Sequence, residues 1–145
     1  MAVRPATDDD VPEIAALIRS LAEYERLAHE AVFAVDDLRA ALFGSDPVAH
    51  AAVAEANGSV AGFALWYRTF STFTGKPGIW LEDLFVRPEY RGRGHGIALL
   101  RHVRSLTDGR LEWAVLDWNT PSIELYESLG ARSVDGWTRY RWTPP

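Results

Sequence analysis

The run from Leu81 to Leu100 constrains the fold more than any other stretch of this chain. Ile79 to Val86 reads as a buried strand, unusual only in carrying two adjacent carboxylates, Glu82 and Asp83. Pro88 ends the strand, because proline cannot donate to a sheet ladder. Arg91-Gly92-Arg93-Gly94-His95-Gly96 follows as a short loop, and the apolar residues from Ile97 onward begin a helix. Glycines let backbone N–H groups approach an anion closely, and the helix behind them adds its positive end. Arg91 and Arg93 supply further charge suited to phosphate. The loop is not a Walker A element, because no Lys-Ser or Lys-Thr follows its last glycine. It is not the dinucleotide G-x-G-x-x-G either, since Ile97 stands where the last glycine belongs. What remains is a pyrophosphate clamp, or else a plain left-handed turn with arginines in solvent. Three alternating glycines exceed what a plain turn needs. The acids just upstream point to a second, cationic ligand.

Composition narrows the partners. A chain of 145 residues, 48% hydrophobic and 24% charged, is expected to fold as one soluble domain spanning 1–145. Twenty acids against 15 bases give a net charge of −5, which argues against nucleic acid and suits a cationic substrate. There is no cysteine, so disulfides, thiolate metal sites and a cysteine nucleophile are excluded. His29, His50, His95 and His102 show no metal-ligand spacing, so no metal is expected. Met1 to Pro5 meets acids at Asp8 to Asp10, unlike a signal peptide. No uncharged apolar run approaches the roughly 18 residues of a membrane span. The expectation is a cytoplasmic protein with no membrane contact.

The rest of the chain alternates readily. Ala2–Ala6 is a short strand, and Thr7 with Asp8-Asp9-Asp10 starts a helix whose apolar face runs from Val11 to about Leu27. The polar, aromatic end of that helix carries Tyr24 and Glu25, which pattern alone would leave in solvent. Val35–Phe43 is a second helix, capped by Asp36. Ala49–Ala56 and Ser59–Tyr67 are strands joined by Asn57-Gly58, a strong two-residue hairpin signal. Residues 68–78 read as a loop, and Arg110–Leu116 as a strand. Pro121–Leu129 reads as a helix with Gly130 as its stop. Ala131–Trp142 reads as a last strand. The order is β-α-α-β-β-β-α-β-α-β, an α/β architecture of the α+β kind. It predicts a central mixed, mostly antiparallel sheet flanked by about four helices.

Glu82-Asp83-Leu84-Phe85-Val86 followed by Arg91-x-x-Gly94-x-Gly96 resembles the acetyl-CoA signature of the GNAT N-acetyltransferase superfamily. Within it, the chain is most similar to the diamine (spermidine/spermine) and thialysine acetyltransferases. The shared residues include Tyr90-Arg91-Gly92, Trp118-Asn119-x-Pro121-Ser122-Ile123-x-x-Tyr126, Ala22-Glu23-Tyr24-Glu25 and Gly136-Trp137. The resemblance covers nearly the whole chain and implies a GNAT fold with acetyl-CoA as cofactor. It implies that Leu84, Phe85 and Val86 bond the pantetheine arm through their backbone, and that Arg91, Gly92, Arg93, Gly94, His95 and Gly96 hold the pyrophosphate. Asn119 and Ser122 are implied on the cofactor's other side, and Tyr126 as the general acid beside the thioester sulfur. His95 stands where an aliphatic residue is common. A homodimer is also implied.

Chemistry adds a requirement. An alkylammonium has a pKa near ~10.4, so only about one part in a thousand is nucleophilic at neutral pH. A base must therefore act, and Glu82 is the candidate, with Asp83 beside it. Successive strand residues face opposite ways, so a bulge is needed to bring both near one cleft. The resemblance and the net acidity together make Tyr24, Glu25, Glu82, Asp83 and Trp137 an acidic, aromatic-walled cleft for a small-molecule amine. The expected reaction is direct acetyl transfer in a ternary complex to a polyamine or lysine-like acceptor. The alternatives are another acceptor (a protein N-terminus, protein lysine or aminoglycoside) and a CoA-sensing module without turnover.

Overall fold

The first residues form a short strand, β1 (Ala2–Pro5), tied to the following helix through one carboxylate. In this computed structural model, which describes residues 2–145, Asp10 is buried and accepts two bonds from the Arg4 guanidinium at 2.7 and 2.9 Å. It also accepts the Thr7 N–H at 2.7 Å. Hydrogen bonding from Arg4 holds the Asp10 carboxyl below the usual carboxylate range. Asp8–Asp10 forms a single 3-10 turn, so α1 (Val11–Tyr24) starts later than expected, with Pro12 in its first turn. It also ends earlier than Leu27. Arg26 is left-handed (φ 62°), a conformation no helix can pass through. In α2 (Val35–Phe43), the Ala34 N–H donates to Asp37 at 2.9 Å, so Asp37 rather than Asp36 is the cap.

Strand β2 (His50–Ala56) turns through Asn57-Gly58 (φ 53° and 77°) into β3 (Ser59–Ser71), and β4 (Lys76–Val86) returns along it. Most of residues 68–78, expected as loop, is paired strand from Arg68↔Ile79 to Ser71↔Lys76. The threonine, phenylalanine and serine there favour a pleated ladder, and Pro77 sits beside the strand's first residue where it is tolerated. After the glycine loop comes α3 (His95–Arg104), then β5 (Leu111–Glu112), which pairs parallel to Ile79 and Trp80. The strand expected over 110–116 therefore shrinks to two residues. The sheet order is β1-β2-β3-β4-β5, antiparallel except for its last pair.

Both faces of the sheet are covered. Val11, Ile14 and Leu17 of α1 and Leu38 and Leu42 of α2 pack with Val53, Phe63, Leu65 and Phe85. Residues alternating with these face α3, whose Leu99, Leu100 and Val103 are buried. Each fully buried Leu or Val side chain contributes about 1.5–3 kcal/mol. The mixed sheet with helices on both faces is the architecture the sequence predicts.

These elements belong to the first of two compact units, Met1–Ala114 and Val115–Pro145. The second unit holds α4 (Thr120–Ser128), with Pro121 in its first turn. Gly130 (φ 95°) closes it, its N–H bonding Glu127 C=O while Ala131 N–H bonds Tyr126 C=O. The expected last strand, 131–142, does not form. Gly136 (φ 87°) breaks the extended run, and the unit holds no second strand to pair with it. The observed order thus ends on α4. Among the described residues, no helix is long and apolar enough to cross a membrane.

Candidate active site

The site starts from a fault in the ladder between β3 and β4. Leu65 pairs with Asp83 and Trp66 with Leu81, leaving Glu82 without a partner. This is the bulge that two neighbouring carboxylates need, because an extra residue breaks the alternation of faces. Glu82 swings into solvent, where it accepts the Trp80 Nε1–H at 3.3 Å. Asp83, paired with core residue Leu65 and two positions before core residue Phe85, points to the side covered by α1 and α2.

The two carboxylates consequently live in different surroundings. Asp83 is half-buried, and among the described residues no hydrogen-bond donor or cation meets it. Burial pushes its carboxyl up to about 7, and the charges of Glu82 and Glu25 push the same way. Glu25 caps the end of α1, and its own carboxyl is raised by burial. A carboxylate with no compensating partner in a natural fold is a functional candidate. Two acids, Glu82 from β4 and Glu25 from the end of α1, thus act on Asp83. They attract cations, and Asp83 can take up a proton near neutrality.

Past Trp80, β4 has no neighbouring strand on its β5 side among the described residues, so Leu84, Phe85 and Val86 lie along a free edge. The Val86 carbonyl accepts Arg91 Nε at 2.9 Å. The same guanidinium lies 5.3 Å from the Tyr24 ring centroid and 5.1 Å from that of Phe85. Arg91 is therefore more than a charge for an anion. It is a strut joining the ends of α1 and β4 to the glycine loop, a role its place in the motif did not disclose. Arg93 lies 5.9 Å from the Tyr90 ring.

The loop itself fits an anion. Gly92 and Gly94 are left-handed (φ 75° and 85°), and among the described residues the N–H groups of 92–96 have no hydrogen-bond partner. Those of His95 and Gly96 open the first turn of α3, where helical donors are unpaired. A Cβ on Gly96 would meet only Val86 Cγ2, at an ordinary 3.7 Å, so the fold does not demand glycine there. What the missing side chain preserves is open backbone. His95 differs from its neighbours: its ring is buried edge-on to Tyr90, and its Nδ1 has no partner. It offers the loop a backbone N–H, while its side chain takes the packed position usual for an aliphatic residue.

In the second unit, Asn119 is buried just before α4 and its carbonyl accepts the Ile123 N–H at 3.1 Å. Asn119, Ser122 and Tyr126 follow at intervals of three and four, which places them on one helix face. Ser122 and Tyr126 are half-buried. Trp137 is exposed in the irregular segment after Gly136. The first unit thus brings together Tyr24, Glu25, Glu82, Asp83, Phe85 and Arg91, and the second aligns Asn119, Ser122 and Tyr126. Sequence reasoning missed Trp80, though its spacing of two from Glu82 was a visible signal. Among the described residues no group of three His, Asp or Glu could hold a metal.

Comparison with known proteins shows the family of the chain. The profile of the acetyltransferase (GNAT) family matches residues 14–131. The chain is 38% identical to thialysine N-epsilon-acetyltransferase of Mus musculus, covering 97% of this chain and 91% of that protein. It is 31% identical to L-ornithine N5-acetyltransferase NATA1 of Arabidopsis thaliana, covering 97% and 83% respectively. An aminoglycoside acetyltransferase from an uncultured soil metagenomic sample superposes with a TM-score of 0.79 at 15% identity, over 99% of this chain and 96% of that one. That last likeness is one of fold.

Proposed function

Since the chain belongs to the GNAT family of N-acetyltransferases, we propose that it moves an acetyl group from acetyl-CoA directly to a primary amine of a small polyamine or lysine-like amino acid. One observation carries the reading. A single continuous element, residues 81–96, holds at one end a carboxylate and at the other a run of backbone N–H groups, neither of which has a hydrogen-bond partner among the described residues. The first suits an ammonium and the second a diphosphate.

Acetyl-CoA supplies the acetyl group as a thioester. Arg91, Gly92, Arg93, Gly94, His95 and Gly96 would hold its diphosphate, chiefly through N–H groups. The free edge at Leu84, Phe85 and Val86 would bond the pantetheine arm, and one N–H there would polarise the carbonyl oxygen. Asn119 and Ser122 are assigned to the donor as well. Tyr126 is assigned as proton donor to the departing sulfur, a transfer between groups whose ordinary pKa values lie near about 10 and 8.5. The carboxylate pair Glu82 and Asp83 supplies the base. Glu25 and Tyr24 would receive the acceptor's far end, acid against ammonium and ring against cation, and family resemblance assigns Trp137 to the acceptor as well. The reading extends, on family resemblance, to a cytoplasmic homodimer, which light scattering of the purified protein tests for assembly.

The test is turnover. Incubation with acetyl-CoA and a panel of amines, following free thiol, should show release with diamines, polyamines or thialysine-type amino acids. Release only with a peptide N-terminus, a protein lysine or an aminoglycoside would overturn the acceptor. CoA binding without release from any amine would replace the enzyme with a sensor.

A further inference from the structure

We infer that Asp83, and not Glu82, is the group that accepts the proton from the acceptor's ammonium, while Glu82 serves as a fixed negative charge beside it. The inference deepens the reading above and rests on it.

The bulge separates the two acids. Glu82 is solvent-exposed, and its Oε1 is engaged by Trp80 Nε1–H at 3.3 Å. Asp83 lies on the other side of the bulge, opposite Leu65 and beneath the end of α1, with neither donor nor cation against it among the described residues. The charged groups around it are few. Its own strand presents Glu82, the end of α1 presents Glu25 and Tyr24, and the glycine loop presents Arg91, whose guanidinium is spent on Val86 and the Tyr24 and Phe85 rings. From β3, Leu65 stands opposite it in the ladder. Both like charges oppose ionisation of Asp83, and its carboxyl lies at about 7. That is the range in which a base is both available and effective at neutral pH.

The proton inventory closes. One proton passes from the ammonium to an Asp83 carboxylate oxygen, which frees the nitrogen lone pair. The C–N bond forms as the C–S bond breaks, and the sulfur keeps the electron pair. The nitrogen's second proton passes to the sulfur, leaving amide and thiol. Asp83 then returns its proton to solvent. One ammonium and one thioester give one amide, one thiol and one proton.

The experiment compares wild type, Asp83→Asn and Glu82→Gln. Carboxyl titration of the unliganded proteins by difference infrared spectroscopy should show one group ionising near neutrality in wild type. It should persist, at lower pH, in Glu82→Gln and be absent from Asp83→Asn. With spermidine and saturating acetyl-CoA, Asp83→Asn should lose about 10²–10⁴-fold in kcat, and CoA affinity by calorimetry should stay within about twofold of wild type. Glu82→Gln should lose about tenfold or less in kcat. A neutral-range carboxyl that survives in Asp83→Asn, or a larger kcat loss in Glu82→Gln than in Asp83→Asn, overturns the inference. Wild-type protein that releases no thiol with any amine overturns the functional reading instead, even where the titration assigns the carboxyl to Asp83.

Discussion

Asp83 makes the fold less stable than it could be, and the sign of that effect can be worked out. Its carboxyl ionises at about 7 in the folded chain and near 3.8 when unfolded. Between those values the folded state keeps a proton that the unfolded state releases, so stability falls as pH rises through the window and stays lower above it. Asparagine cannot ionise. Asp83→Asn should therefore melt several degrees above wild type at pH 8, with the gap closing toward pH 4, as calorimetry across pH would show. An asparagine variant that melts lower at pH 8 would contradict the account. Asp10 has the opposite sign. Its carboxyl is lowered by Arg4, so its contribution is present above about pH 4 and lost as pH falls through its folded pKa. Asp10→Asn should cost about 1–3 kcal/mol at pH 7 and progressively less in acid, measured by urea titration at each pH. At this scale the pair Glu82 and Asp83 was legible as a pair. Which of them is perturbed was not, because Glu25 reaches the site only through the packing of α1 on the sheet.

The glycine loop and α3 work as one element. Gly94 precedes the helix in a left-handed conformation, and Gly96 lies one residue inside it. Gly96→Ala places its methyl at ordinary contact distance from Val86, so the unliganded protein should keep a melting temperature within about 2 °C of wild type. The methyl covers backbone that the diphosphate would use, so the stabilisation conferred by saturating CoA should shrink by at least about half. Thermal melts with and without CoA measure both quantities, and an undiminished CoA shift would remove the glycine from the donor site. Elements announced by local chemistry were legible in the sequence: the Asn57-Gly58 turn, Pro121 in the first turn of α4, and Gly130 at its end. Those that depend on a partner were not. Residues 68–78 carry loop-like glycines and a proline yet pair because β3 and β4 extend together, whereas 131–142 looks like a strand and is irregular, with Gly136 left-handed within it.

The molecule as a whole sets the class of reaction more firmly than the acceptor. The same fold serves an aminoglycoside acetyltransferase at 15% identity, so architecture alone does not choose the amine. In the proposed function the choice falls to charge: a net −5 chain in which Glu82 of β4 and Glu25 at the end of α1 act on Asp83. A second ammonium meeting such acids gains about 1.5–3 kcal/mol, equivalent to roughly 10–150-fold. The most direct test compares kcat/KM for a diamine and for a primary monoamine of equal chain length, with acetyl-CoA saturating and ionic strength fixed. The diamine should be favoured by at least about tenfold, and raising salt should narrow the ratio. Equal values for the two amines, or a preference for the monoamine, would contradict the proposal.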